Sequence, residues 1–269
     1  MSATASPQPS AIPSLRVTFL GTGTSHGVPM IGCGCATCRS SDPRDSRWRP
    51  SILIESADGP NILVDTSTDL RAQVLRFGVR RIDAILYTHA HADHVLGLDD
   101  VRGFNRSQAQ TIPCYGDAGT ITDIRRMFGY AFAPGSSVGG GLPKIATVPI
   151  DGEFQVVSVT VTPVPIMHGP RQIFGYRVGR FAYLTDCSAI PDASWALLEG
   201  LDVLVVGALR DRPHPTHFSL SEAVEAATRV GARRTYFTHM CHLLPHAATC
   251  ARLPAGLSLA YDGLVVDIL

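Results

Sequence analysis

The segment from Thr88 to His94 places three histidines and an aspartate within seven positions, directly after a run of apolar residues. Imidazole is the most common metal-binding side chain near neutral pH, and an adjacent carboxylate supplies charge for a divalent ion. His89 and His91, two positions apart on an extended chain, point to the same side and can share one ion, while Asp93 and His94, past the turn, can reach a second ion. The segment therefore predicts two neighbouring metal ions; the alternative is a loop of locally hydrogen-bonded histidines.

The whole chain has 269 residues, 45% of them hydrophobic, and a formal net charge of zero. Lys144 is the only lysine, and no run of like charges stands out. We therefore expect neither a nucleic-acid partner nor a membrane partner.

Residues 1–14, rich in Ser, Ala and Pro, predict a disordered tail, and 15–269 predict a single domain. A cytoplasmic location is the default expectation, because no apolar run is long enough to span a bilayer.

Short β-rich runs and helical patterns alternate along the chain. Residues 51–65 predict a strand hairpin, 82–87 and 154–164 predict strands, and 68–77 and 219–230 predict amphipathic helices. The strands come first in hairpins and later with intervening helices. This order predicts a layered α/β protein, and the motifs must decide its topology.

Further candidate ligands stand at the ends of predicted strands. His168 follows an apolar strand and precedes Gly169, and Asp186 follows the strand-like residues 183–185. Taken singly, such a histidine is more often structural, and such an aspartate is more often a cap or turn residue. Their placement after strands, like that of His89, predicts that they converge on one edge of the fold.

Three of the seven cysteines, Cys33, Cys35 and Cys38, fall within six positions. This spacing is poor for a disulfide framework and favours a metal, with a redox pair or unpartnered thiols as alternatives. The other four, interpreted as small core or surface residues, are Cys114, Cys187, Cys241 and Cys250.

These residues carry a resemblance to a known family. The motif His89-x-His91-x-Asp93-His94, followed by His168, Asp186 and His239, resembles the metallo-β-lactamase superfamily. The resemblance covers 15–269. It implies an α/β fold, namely an αββα sandwich of two mixed β-sheets flanked by helices, with a dinuclear metal site between the sheets.

The same resemblance implies a ligand set for two divalent metal ions; we expect Mn or Zn, and His/Asp sets also accept Fe. The ligands of one metal would be His89, His91 and His168. The ligands of the other would be Asp93, His94 and His239. Asp186 would bridge the two metals, and Asp65 is similar to the superfamily's acidic residue that orients the ligands.

A second set of motifs narrows the resemblance. They are Gly21-Thr22-Gly23-Thr24-Ser25-x-Gly27-Val28-Pro29, Gly32-Cys33-x-Cys35-x-x-Cys38, Leu98-Asp99-Asp100-x-Arg102 and Thr238-His239-x-x-His242. They are similar to those of the phosphoribosyl 1,2-cyclic phosphate phosphodiesterases and their relatives, which carry a separate structural zinc. This resemblance implies one structural Zn on Cys33, Cys35, Cys38 and His242, and it suggests a homodimer.

The expected activity follows from the pair of metals. Two divalent ions about 3.5–4 Å apart can deprotonate a bridging water and stabilise charge on a phosphoryl group. We therefore predict a phosphodiesterase in which the metal-bound hydroxide cleaves a small, possibly cyclic, phosphodiester. The predicted catalytic residues are Asp93, Asp186 and His217.

His217 has no metal role in this scheme. The resemblance favours it as proton donor to the leaving oxygen, whereas the alternative is a cap on the helix that follows Ser219. Arg102 and Arg210 are candidates for contact with a distal phosphate, with solvated ion pairs as the alternative. The roles of three further histidines in catalysis stay open; they are His26, His214 and His246.

Three other functions compete with the phosphodiesterase. A thioesterase or lactonase would use the same two metals at a carbonyl group. An RNA-processing nuclease would require a basic surface, which the neutral composition does not provide. A non-catalytic, zinc-stabilised interaction module would normally lack some of the ligands, and none is missing here.

Overall fold

The computed structural model describes residues 14–57, 59–133 and 141–268. The predicted disordered tail lies outside these residues except for Ser14. Within them are fourteen strands and eight α-helices. The strands are β1 Leu15–Gly21, β2 Ser51–Ser56, β3 Asn61–Val64, β4 Ala84–Leu86, β5 Ile112–Gly116, β6 Ile145–Pro149, β7 Phe154–Val156, β8 Val159–His168, β9 Arg171–Val178, β10 Phe181–Leu184, β11 Val203–Gly207, β12 Arg234–Thr238, β13 Leu257–Leu259 and β14 Val265–Ile268.

The α-helices are short. They are α1 Leu70–Arg76, α2 Ala92–Val95, α3 Arg102–Gln108, α4 Ala118–Met127, α5 Gly129–Phe132, α6 Asp192–Trp195, α7 Leu220–Val230 and α8 His246–Cys250. The 3-10 helices are Thr37–Arg39, Pro43–Asp45, Leu96–Val101 and Ala196–Leu198. Among the described residues, no helix has the length and apolar character needed to cross a membrane.

The strands form two mixed sheets of seven strands each, in the orders β14-β1-β2-β3-β4-β5-β6 and β13-β12-β11-β10-β9-β8-β7. Each sheet has three antiparallel and three parallel pairings: the antiparallel pairings join β14 to β3 in the first sheet and β10 to β7 in the second, and the rest of each sheet is parallel. With helices packed on the outer faces, this confirms the predicted αββα sandwich.

Alternating side chains on the strands produce the layers. In β2, Ile52 and Ile54 belong to the core between the sheets, whereas Leu53 packs outward with α1 and α4. In β11, Val205 lies in the inner core and Leu204 packs outward against the side of α7. Because neighbouring side chains of a strand point to opposite faces, each fully apolar strand contributes to two cores.

Most predicted elements are confirmed, with one clear difference. The segment 154–164, predicted as one strand, forms two antiparallel strands, β7 and β8. The chain reverses at Val157, which has a positive φ of 56° and is 78% exposed. A β-branched residue rarely adopts this conformation, so the apolar pattern gave no sign of the turn.

The two longer predicted helices begin and end where local signals place them. Helix α7 follows Ser219, which forms a reciprocal capping box with Glu222, and it ends at Gly231, where φ is 67°. Helix α1 ends just before Gly78, whose φ is 68°. Ser219 therefore caps α7, and the alternative cap function for His217 is not needed.

Candidate metal centre

The predicted ligands lie where strands of both sheets end. In the first sheet, Asp65 follows β3, and His89 comes three residues after β4. In the second sheet, His168 is the last residue of β8, Asp186 lies two residues beyond β10, and His239 follows β12 directly. The side chains therefore meet at one edge of the sandwich, between the two sheets.

The ligand atoms form two triads with a carboxylate between them. Atoms that could ligate a metal lie within 4.8 Å of one another in the set His89, His91 and His168, and equally in the set Asp93, His94 and His239. Asp186 reaches both sets: its Oδ2 lies 3.8 Å from His89 Nε2 and 3.3 Å from His239 Nε2, and its Oδ1 lies 3.3 Å from His94 Nε2.

Hydrogen bonds fix the orientation of the imidazoles. His94 Nδ1 lies 2.7 Å from Asp65 Oδ2, and the same carboxylate accepts from the amide and hydroxyl of Thr88, both at 2.9 Å. His168 Nδ1 lies 2.7 Å from the carbonyl oxygen of Thr216. A ring that donates from Nδ1 presents the lone pair of Nε2, which is the form that binds a metal.

Three non-glycine residues of this edge have a left-handed backbone. The φ angles are 61° at Asp65, 57° at Asp186 and 58° at His239. Such conformations cost about 1–3 kcal/mol each and persist only where the surrounding structure holds them. In each case the residue follows a parallel strand, so the turn brings the side chain back toward the site.

The polar atoms of the centre are suited to divalent ions. His89 Nε2 and His94 Nε2 are buried, and neither has a hydrogen-bond partner within the described residues. Among the described residues, only histidines form ion pairs with the carboxylates of Asp65, Asp93 and Asp186. Buried carboxylates whose partners are imidazoles, next to buried imidazole nitrogens that have no hydrogen-bond partner, form a donor set that fits divalent metal ions.

The protonation preferences of His89 and Asp186 agree with this donor set. The carboxylates of Asp186, Asp93 and Asp65, by contrast, outweigh burial and raise the pKa of His94 well above its usual range, so a metal would have to displace the proton of that ring. Burial, together with His94, holds the pKa of His89 well below its usual range, which keeps this imidazole neutral. Burial alone would raise the pKa of Asp186, but His239 and His94 outweigh it and hold the pKa well below its usual range. A neutral imidazole and an ionised carboxylate are both competent ligands.

His217 stands beside the two triads. Its ring stacks on His239 at a centroid distance of 4.8 Å and lies 4.7 Å from His168. Its Nδ1 is 3.9 Å from Asp186 Oδ2, and its side chain is 14% exposed. Burial and His239 lower its pKa to about 3. His217 therefore borders the centre on a side that solvent can reach.

A second cluster of candidate ligands lies on the early loop, which is residues 22–50 between β1 and β2. Cys33, Cys35 and Cys38 come together with His242, and their ligand atoms lie within 4.8 Å of one another. His242 Nδ1 is 3.3 Å from Cys33 Sγ and 3.2 Å from Cys35 Sγ. All of these cysteines are free thiols rather than disulfides. Three thiols and one imidazole fit a closed tetrahedral site.

The thiols differ in acidity. The amide of Cys38 and the ring of His242 lower the pKa of Cys35 to about 6, whereas burial raises the pKa of Cys38 to about 11. The Cys35 thiol is therefore ready to ligate a metal as thiolate at neutral pH.

The remaining candidates are not members of the triads. Arg102 forms a half-exposed ion pair with Asp99 at 2.9 Å, and Arg210 donates to carbonyl groups of its own loop. His214 Nδ1 accepts from the amide of Thr216 at 3.3 Å. The other two open histidines are His26, 5.7 Å from the His242 ring, and buried His246.

Two residues of the site are absent from the sequence-based set. Thr88 binds Asp65, and its position directly before His89 is a signal that could have identified it. Thr216 acts through its carbonyl group, which every residue type possesses, so no sequence signal marks it.

Comparison with known proteins identifies the class. A family model described as the beta-lactamase superfamily domain matches residues 60–240. The chain therefore belongs to the metallo-β-lactamase superfamily, as its motif predicts. A solved structure described as a new diphosphatase from the PhnP family is 45% identical, with a TM-score of 0.88, and the match covers 95% of this chain and 97% of that one.

Other relatives share less of the chain or less of its sequence. A protein of Porphyromonas gingivalis named octanoyltransferase is 38% identical over 252 residues, which are 93% of this chain and 51% of that protein. A ribonuclease Z of Bradyrhizobium diazoefficiens is 31% identical over 171 residues, 60% of this chain and 48% of that protein. The chain thus spans about half the length of these two relatives. Zn²⁺-bound PqqB from Methylobacterium extorquens, 20% identical with a TM-score of 0.76, shares the fold over 94% of the chain.

Proposed function

We propose that this chain is a metal-dependent hydrolase that cleaves a small phosphodiester, and that residues 15–269 act as one hydrolase domain. The observation that carries the proposal is the position of Asp186, whose two oxygens reach both ligand triads. The name of the 45% identical structure, a diphosphatase, supports chemistry at phosphorus rather than at a carbonyl group.

The proposed metals are two divalent ions, Mn or Zn, and a third, structural Zn on the cysteine cluster. Two such ions in the triads would acidify a water and neutralise charge on a phosphoryl group. Asp65 and the carbonyl group of Thr216 would keep His94 and His168 in the tautomer that the ions need. His91 is exposed, so substrate would approach on its side.

His217 is proposed to donate a proton to the departing oxygen, a role in which the negative charge of the bound phosphate must raise the pKa that burial and His239 hold at about 3 in the free protein. Its ring contacts both His168 and His239, and its Nδ1 lies 3.9 Å from Asp186, so a group leaving from the centre on this side would meet it. A well-placed proton donor of this kind contributes about 10²–10⁴-fold to a rate. His214, 5.1 Å away ring to ring, bonds Thr216 instead and is not assigned this task.

A substrate panel tests the proposal. The protein is loaded with Mn or Zn, its metals are counted by elemental analysis, and it is assayed on a cyclic ribose phosphodiester, an aryl phosphodiester, a dinucleoside diphosphate, a thioester, a lactone and a tRNA precursor. We expect turnover of the small phosphate esters with little of the thioester, lactone or RNA. Turnover of the thioester or the lactone alone, or a protein that retains no metal in the triads, would overturn the proposal.

A further inference from the structure

A buried arginine lies outside both candidate sites. Arg47 precedes β2, and it is 1% exposed, which makes it one of the largest fully buried side chains among the described residues. Removing a guanidinium from water costs several kcal/mol unless its donors are satisfied by good partners. The partners of Arg47 therefore indicate what the side chain is for.

The guanidinium binds one loop at two points. Nη1 donates to the carbonyl oxygen of Cys241 at 3.0 Å, and Nη2 donates to that of Leu244 at 2.6 Å. Nη2 also lies 3.4 Å from Asp45 Oδ1, a buried carboxylate that accepts from the His246 amide at 2.7 Å. A planar guanidinium can reach two carbonyl groups at once, whereas the single ammonium of lysine cannot hold both in this fork geometry.

The bound loop carries a ligand of each candidate site. Cys241 and Leu244 lie on either side of His242, which belongs to the cysteine cluster. Cys241 also lies two residues after His239, which belongs to the second triad. The carbonyl groups that Arg47 holds therefore fix the turn that presents both histidines.

Arg47 also contacts the loop that leads to the cysteines. Its backbone pairs with Val28 in both directions, at 2.7 Å and 2.8 Å. A Cβ added at Gly23 would lie 3.0 Å from Arg47 Cβ and 2.9 Å from its carbonyl oxygen, so the two segments are in close contact. Five residues after Val28 the chain reaches Cys33.

We propose that Arg47 is a positioning residue that couples the two metal sites. Arg47 joins the early loop to the turn between His239 and Leu244. Because of this connection, a metal ion bound to the cysteine cluster raises the metal affinity of the triads. Such coupling is reciprocal, so metal in the triads strengthens the cysteine site equally. The inference rests on the metal sites of the proposed function, but not on its substrate.

A double-mutant cycle tests the coupling through metal affinity rather than activity. The proteins are the wild type, Cys35→Ser, Arg47→Lys and the double variant. Mn²⁺ prefers nitrogen and oxygen ligands to thiolates, so it binds to the triads rather than to the cysteine cluster. Electron paramagnetic resonance measures the concentration of free Mn²⁺ and thereby gives the Mn²⁺ affinity of the triads. Cd²⁺ reports the cysteine cluster by its thiolate absorption band.

We expect each single change to weaken Mn²⁺ binding about tenfold, with the double variant no weaker than either one. Arg47→Lys should also weaken Cd²⁺ binding, while kcat at saturating Mn²⁺ stays within about twofold of the wild type because the ligands themselves are intact. The matched control is Arg44→Lys: this exposed arginine of the same segment pairs with Asp42 at 2.7 Å and donates to no carbonyl group of the bound loop.

Additive effects in the cycle, or unchanged Mn²⁺ affinity in Cys35→Ser, would overturn the coupling. If Arg47→Lys does not fold, Asp45→Asn replaces it in the same cycle, because it removes the carboxylate beside the guanidinium and keeps the volume; the same two outcomes then decide. A wild type that binds Mn²⁺ but cleaves no phosphate ester would overturn the proposed function and leave the result of the cycle valid.

Discussion

The His/Asp centre and the cysteine cluster receive neighbouring histidines, His239 and His242, from one loop, but they are built differently. The ligands of the centre follow strands of both sheets, so their positions depend on the whole sandwich. Three of the four cluster ligands come from one loop, which runs from Cys33 to Cys38 and contains no strand. The geometry of the His/Asp centre therefore depends on the packing of both sheets. The cysteine cluster instead links a loop without strands, residues 33–38, to the loop that carries His242.

The donor types follow the same division. The centre uses imidazole and carboxylate groups and leaves one side open at exposed His91. The cluster offers three sulfur atoms and one nitrogen, a set that fills a tetrahedron and leaves no position for substrate. We therefore expect the His/Asp centre to catalyse the reaction and the cysteine cluster to stabilise the fold.

The largest effect is expected for Asp186→Asn. It keeps the side-chain volume but removes the charge that reaches both triads, so kcat/KM should fall at least about a thousand-fold. The fold, measured by circular dichroism, should be retained. Asp267→Asn, in an exposed pair with Arg16, is the matched control and should keep full activity. Retained activity in Asp186→Asn would show that this residue does not link the triads.

His217→Gln should separate substrates by their leaving group. A proton donor matters most when the departing alkoxide is a poor leaving group, so an alkyl phosphodiester should lose about 100-fold in kcat. A nitrophenyl ester should lose less than about tenfold, because its leaving group needs no proton. His214→Gln should change neither. An equal loss on both substrates would contradict the assignment of His217.

Cys35→Ser should affect stability and spare the chemistry. We expect it to lose one equivalent of zinc and to unfold at a temperature roughly 5–10 °C lower than the wild type, measured by calorimetry. At saturating metal its kcat should stay within about twofold of the wild type. Cys250→Ser, a half-buried cysteine outside the cluster, should retain all metals. Full zinc content in Cys35→Ser would rule out the structural site.

The smallest effect concerns His246, a buried histidine that ligates nothing in the proposed scheme. Burial, together with Arg44 and Arg47, lowers its pKa to about 4. The unfolded chain binds a proton near pH 6.5 and the folded chain does not until about pH 4. This group therefore makes the free energy of unfolding fall as pH drops through that window. His246→Gln should flatten this pH dependence in urea titrations. An identical slope would show that His246 does not contribute.

The convergence of the candidate ligands was predictable because these residues are local in sequence or follow recognisable strands. His89, His91, Asp93 and His94 share one segment, and Asp65 stands at the end of a predicted strand. Their contacts required the structure, since the carbonyl group of Thr216 has no residue signature.

Other features had no local signal. Arg47 reaches Cys241 across 194 positions of the chain, so no window of sequence contains both partners. The reversal at Val157 is hidden for a different reason, because a β-branched residue favours a strand and the sheet overrides that preference.

The left-handed backbone at Asp65, Asp186 and His239 limits which substitutions these positions tolerate. Asparagine, aspartate and glycine tolerate this conformation best, whereas most other side chains add backbone strain to the loss of a ligand. A lineage that abandoned catalysis would therefore be expected to keep Asp, or to change only to Asn or Gly, at positions 65 and 186 long after the exposed His91 had been replaced by other residues. The trace of a lost metal centre would persist as a pattern of turn-forming residues.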